Sequence, residues 1–334
     1  MADARLRIAE DRRLAFAAAG ATDVRLIAGP PDDTPFGTRL RAFVVAERPD
    51  GLVVLGSGSI PLALRADLGA FMAAAGAATS VALTNNRFSA DVVAVSRAEV
   101  LLDVPDLPAD NALPRWLEEA CGYPIEERRS WRLGVDVDGP LDLALIGGAA
   151  VVPPPGVDLA PVRQSLERVA AVAADRRAEL VVAGRTSAAT LAWLERSRPA
   201  RIRALIEERG LRAASLAAIP DPDGSPSLRR PPASVLGGLL DRDGPSSLGG
   251  LIARLGDGAV IDSRVLLAHR LGADERAWPP PEDRFASDLL LPERIGDPWL
   301  RELTRSAATS PVPIVLGGHT LVGPGLRFAL RQRR

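Results

Sequence analysis

Leu52-Val53-Val54-Leu55-Gly56-Ser57-Gly58-Ser59-Ile60-Pro61-Leu62, followed at once by Arg65-Ala66-Asp67-Leu68-Gly69-Ala70-Phe71, is the stretch on which the fold class turns. Four consecutive apolar residues closed by a glycine-serine turn read as a strand buried on both faces, the type found in parallel sheets. The apolar spacing after Pro61 is that of a helix. Outward from this unit the same alternation continues. Helical patterns cover residues 5–19, 37–47, 65–75, 111–121 and 141–146, and strand patterns cover 24–28, 52–55, 81–83, 92–95 and 133–137. Strands alternating with helices predict an α/β fold: a mostly parallel sheet with helices on both faces.

Residues 147–161 (GGAAVVPPPGVDLAP) contain three consecutive prolines, which continue neither a helix nor a sheet interior. The predicted organisation is a first domain over 1–147, a proline-rich linker over 148–160 and a second α/β domain over 161–334. The second half restarts with helix 162–177, strand 180–183 and helix 188–197. A polar loop over 220–232 precedes helical patterns at 234–240 and 247–255. Strand 259–261, helix 298–307, strand 312–316 and a glycine-rich tail over 317–325 follow.

Composition limits the chemistry. With 334 residues, a net charge of −1 and 47% hydrophobic residues, the chain is globular and lacks the basic field that holds nucleic acid or an anionic membrane. All 41 basic residues other than histidine are arginine. Without lysine, Schiff-base catalysis and a Walker-type phosphate loop are excluded, so a bound phosphate must rest on Arg, backbone N–H groups, a helix N-terminus or a metal. A single cysteine, Cys121, excludes an internal disulfide and a cysteine-based zinc site, which fits a reducing compartment. The charged N-terminus is no secretory signal, and residues 68–86 read as helix, turn and strand, not as a membrane span. A cytoplasmic location is the expectation.

A second segment, Leu133-Gly134-Val135-Asp136-Val137-Asp138-Gly139-Pro140-Leu141-Asp142-Leu143, pairs with the first. Together with Gly37-Thr38-Arg39-Leu40-Arg41-Ala42-Phe43, these segments resemble, over residues 5–147, the nucleotidyltransferase superfamily of GT-A type fold (nucleotide-diphospho-sugar transferase-like). The likeness is greatest to molybdenum-cofactor and phospholactate guanylyltransferases. In that family a strand ends in a Gly-Ser-Asp-x-Pro-Leu type turn, and a later one in Asp-x-Asp-x-Pro-x-Asp-Leu. The resemblance implies Mg²⁺ held by Asp136 and Asp138, with Asp138 catalytic. It also implies a nucleotide or phosphorylated small molecule against Ser57, Ser59 and the loop carrying Asn85, Asn86 and Arg87. The family's Asp after the first strand is here Gly58 or Ser59, its loop lysine has no counterpart, and no segment before Arg5 supplies its first strand and glycine-rich loop.

The residues also admit plainer roles. Asp138-Gly139-Pro140 is a helix start with a capping Asp, and Thr84-Asn85-Asn86-Arg87 is a polar turn between strands. In the second half, Gly184-Arg185-Thr186-Ser187 follows a strand and opens a helix, the place where open α/β sheets bind anions. Asp262-Ser263-Arg264 and Asp283 to Asp288 read as buried Arg–Asp pairing. His319 stands alone in the glycine-rich tail. Three functions follow: a degenerate, nucleotide-binding relative of the nucleotidyltransferases; an active Mg²⁺-dependent transferase using Asp136 and Asp138; or activity carried by the second half through Gly184, Arg185, Ser187 and His319.

Overall fold

The computed structural model describes residues 1–29, 32–147, 157–209, 211 and 231–331. They form a mixed α/β protein in two units, with a four-stranded sheet in each. Among the described residues, no helix is long and apolar enough to cross a membrane.

The first unit spans Ala2–Val137. Its elements are α1 (Ala2–Ala18), α2 (Phe36–Glu47), β1 (Leu52–Leu55), α3 (Arg65–Ala75), β2 (Ala82–Thr84), β3 (Val92–Val95), α4 (Leu113–Cys121) and β4 (Ile125–Glu127). The sheet order is β1-β3-β2-β4. Alternate strand residues face two cores, as the pleat requires. Val93 and Val95 meet Leu40, Val44, Leu113 and Leu117, whereas Val92 and Ala94 meet Phe16, Leu68 and Phe71. Helices therefore cover both faces, as the sequence predicts.

The expected parallel character does not hold here. β3 runs antiparallel to both β1 and β2, and only β2 and β4 are parallel. The cause is the short connection over residues 85–91, which can only return the chain beside β2 in the opposite direction. β1 is an edge strand, half-buried along its length. Two predicted strands are absent. Residues 24–28 are irregular, and 133–137 fold as a 3₁₀ turn, Trp131–Gly134, followed by an isolated bridge between Ser59 and Asp136.

The second unit begins at Asp138. It comprises α5 (Pro140–Ile146), α6 (Ala160–Ala174), β5 (Glu179–Gly184), α7 (Ala188–Ser197), β6 (Arg201–Ile206), α8 (Val235–Asp243), α9 (Leu248–Leu255), β7 (Gly258–Asp262), α10 (Ser263–Leu271), α11 (Pro281–Asp288), α12 (Pro298–Ala308) and β8 (Ile314–Gly317). Two short helical turns, His319–Val322 and Leu326–Ala329, replace the expected loose tail. The strands are all parallel in the order β6-β5-β7-β8. Leu180, Val182, Val260 and Val315 face α5, α6 and α7, while Val181, Ala183, Ala259 and Ile261 face α8, α9, α11 and α12.

The division between units falls at Val137/Asp138, ahead of the proline-rich stretch. The helix at 140–146, counted from sequence with the first half, buries Leu141 and Leu145 in the second unit's core. Most of the expected linker and of the 220–232 loop lies outside the described residues.

Gly184 ends β5 at φ +123°, and a Cβ there would lie 2.3 Å from Cβ of Asp262. Gly184→Ala is expected to destabilise the protein by about 2–4 kcal/mol. Gly238→Ala, in open space on α8, should instead add about 0.5–1 kcal/mol. Urea unfolding of both variants checks the contrast.

Candidate functional site

The two sequence motifs of the first half meet. The turn after β1 closes with Ser59 N–H donating to Gly56 O at 3.1 Å. Val137 N–H donates to Gly58 O at 3.1 Å, beside the Ser59–Asp136 bridge. Glycine is required at 58, because a Cβ would lie 2.6 Å from Val137 O and 3.0 Å from Asp136 Oδ1. Ser57 is exposed at the tip, whereas Ser59 and Asp136 are buried. Asp136 Oδ1 accepts the N–H of Val137 at 2.9 Å. Asp110 Oδ2 lies 3.8 Å from the Cβ position of Gly56, on the same side of the turn.

The next residue, Ile60, is fully buried at φ +47°. A β-branched side chain rarely adopts the left-handed region, and the strain is on the order of 1–2 kcal/mol. Strain of this kind collects where a turn must hold one shape. Neither Ile60 nor Asp110 stood out in the sequence. Backbone strain leaves no compositional trace, and Asp110 reads there as a helix start.

The loop between β2 and β3 is held by its own polar groups. Asn85 Nδ2 donates to Asp91 Oδ2 and Leu133 O, both at 2.8 Å, and its Oδ1 accepts the N–H of Asp91 at 3.0 Å. Asn86 Oδ1 accepts the N–H of Phe88 at 3.0 Å. Arg87 pairs with Glu118 and donates its N–H to Glu127 Oε1. These contacts satisfy the loop as a turn and leave Phe88 exposed at its tip.

Asp136 and Asp138, expected on one strand face, lie on no regular strand and belong to different units. The helix start is capped by Asp142. Asp142 Oδ2 accepts the N–H groups of Asp138 and Gly139 at 3.0 and 2.9 Å.

In the second unit the sequence-predicted residues gather at the carboxyl end of the sheet. Arg185, expected to await an anion, forms a two-point ion pair with Asp262 at 2.6 and 3.1 Å. The Asp262 side chain is fully buried and that of Arg185 is 10% exposed. Ser187 caps α7 by accepting Thr190 N–H at 3.1 Å, and Thr186 Oγ1 donates to Val322 O at 3.0 Å. Arg264 forms a second two-point pair, with the buried Asp288, and its Nη1 donates to Ser263 Oγ at 2.9 Å. Burial alone would lower the Arg264 pKa, but Asp288, Asp262 and Asp142 carry it above the ordinary value. His319 Nδ1 stands 3.9 Å from Asp138 Oδ2, both side chains about one-third exposed.

No family model, curated protein or solved structure matches the chain. Among the described residues, no three His, Cys, Asp or Glu side chains are grouped to hold a metal ion.

Burial, then the charges of Asp138 and Asp288, push Asp142 up to about 8. The folded state thus keeps a proton that the unfolded chain loses in the ordinary carboxylate range. The stability this contributes is complete below that range and is lost as pH rises to about 8, by at most about 1.4 kcal/mol per pH unit. Asp142→Asn preserves an acceptor for the two N–H groups and should flatten that part of the stability–pH curve. Urea titrations of both proteins from acid to mildly alkaline pH test it.

Proposed function

We propose that the first unit is a nucleotidyltransferase-like binding module that holds a nucleotide or phosphorylated metabolite at the turn Gly56 to Ser59. The observation that carries this reading is the meeting of that turn with Asp136. The two segments are nearly eighty residues apart in the sequence, and their likeness to one family's motifs required that they touch. Mg²⁺ commonly takes one or two carboxylates and leaves its other positions to water and phosphate, and Asp136 with the Ser59 hydroxyl would be its protein donors. When bound, it would neutralise phosphate charge beside the Asp136 carboxylate.

The second carboxylate implied by the resemblance is missing from the turn, where Gly58 is tightly enclosed. Binding, not transfer, is therefore the function proposed for this unit. The fixed Asn85 to Asp91 loop supports it by presenting exposed Phe88, with Arg87 5.8 Å from the ring centroid, as an apolar surface for an aromatic base.

Nucleoside triphosphates should raise the melting temperature of the whole chain, and more so with Mg²⁺. Ser57→Glu, an exposed substitution that leaves the fold intact, should weaken the effect at least about tenfold by placing a negative charge where the phosphate would lie. A panel of nucleotides that leaves the melting temperature unchanged, with and without Mg²⁺, would end this reading.

A further inference from the structure

The turn proposed to hold phosphate has the carboxylates of Asp136 and Asp110 beside it, and the chain has no lysine to oppose their charge. An arginine can do so only where no carboxylate already claims it, and several around this sheet are claimed. Arg87 pairs with Glu118, Arg128 with Asp67 and Arg41 with Asp106.

α1 brings an unclaimed one to the turn. Ile8, Arg12 and Phe16 recur every four residues and so share one face of that helix. Ile8 and Phe16 are buried, and Phe16 packs with Ile60, Leu68 and Phe71. Arg12 therefore lies on the inward stripe, one helical turn from the contact with Ile60. Its guanidinium meets the residues that directly follow Gly56 to Ser59. Nη1 donates to Ala63 O at 3.4 Å, and the Ala63 N–H closes a second turn onto Ile60 O at 3.0 Å.

Arg12 is poorly satisfied where it stands. The bond to Ala63 O is at the long end of the hydrogen-bond range. Nε is enclosed without an acceptor, one of four such side-chain nitrogens among the described residues, where no carboxylate pairs with this guanidinium either. Burial draws its pKa below the ordinary value, against a weaker opposing pull from exposed Asp11. A partly buried guanidinium without a counter-charge lowers stability, and an anion from outside the chain would relieve it.

We propose that Arg12 is the phosphate-holding cation of the first unit's site, so that the turn selects polyphosphorylated ligands over their uncharged counterparts. This rests on the reading of that turn as a phosphate site and adds the residue whose charge chooses the ligand. The planar guanidinium presents paired donors that match two phosphate oxygens, and it has one long hydrogen bond to give up in turning toward them.

The full chain and its Arg12→Gln, Arg12→Lys and Arg7→Gln variants are titrated calorimetrically in Mg²⁺ buffer. The ligands are adenosine and guanosine triphosphates, inorganic triphosphate and the two nucleosides. Arg7 is exposed on the same helix and controls for the loss of one positive charge. Triphosphate affinity should fall at least about tenfold in Arg12→Gln, equivalent to about 1.4 kcal/mol. It should fall less in Arg12→Lys, which keeps the charge but not the fork. The nucleosides, and the triphosphates with Arg7→Gln, should behave as with the wild type. Unliganded Arg12→Gln should melt no lower than the wild type, because it loses an unpaired, partly buried charge. If the wild type binds no triphosphate, the turn is no phosphate site and both readings fall. If it does, and Arg12→Gln binds equally well, the role of Arg12 alone is overturned. An equal loss with the nucleosides or in Arg7→Gln overturns that role too, as does an Arg12→Gln protein that unfolds or melts well below the wild type.

Discussion

The second unit depends on the pairing of Arg185 with Asp262. Arg185 directly follows β5 and Asp262 ends the adjacent strand β7, at the point where the chain reverses its winding. Asp262 is completely enclosed, and an enclosed carboxylate without a counter-charge would be destabilising by several kcal/mol. The pair therefore fixes how the two strand ends sit. Gly184 is drawn into the left-handed region because the Asp262 side chain occupies the space a Cβ would need. Arg264–Asp288 repeats the device two residues past β7's end and ties α11 to the same edge. Such pairs give little net stability beside an apolar core of equal volume. Their value here is geometric, since a two-point guanidinium–carboxylate contact tolerates few orientations.

The first unit is governed by close approach instead of charge. Gly58 lets the Val137 backbone come within hydrogen-bonding distance, and Ile60 takes an unfavourable backbone angle immediately afterwards. The turn is thus defined by what its neighbours exclude. An aspartate in place of Gly58 would collide with Val137 O and with the carboxylate of Asp136. The glycine at 58 and the tight packing are two sides of one arrangement.

Much of this was legible in the sequence, and what was not has physical causes. Strong periodicity with clear punctuation marked α1, α3, α6 and α7, and the apolar runs at 180–183, 259–261 and 312–316 marked three strands of the parallel sheet. β6 escaped because an edge strand carries Arg201 and Arg203 outward and lacks a continuous apolar run. α10 starts at Ser263 directly after β7, with no loop residues to signal a change of period. Strand direction in the first sheet is a property of pairing, not of composition, so the antiparallel β3 could not be read from four valine-rich residues. At the candidate sites the chemistry-bearing residues were visible, but their partners were not. Nothing local to Arg185 says that Asp262, seventy-seven residues later, will claim it.

The border between units cuts the motif Asp136-Val137-Asp138 in two. Asp136 serves the turn of one unit, whereas Asp138 belongs to the other, whose core takes up Leu141 and Leu145 of the helix behind it. A gene segment encoding either unit alone would carry only half of that motif.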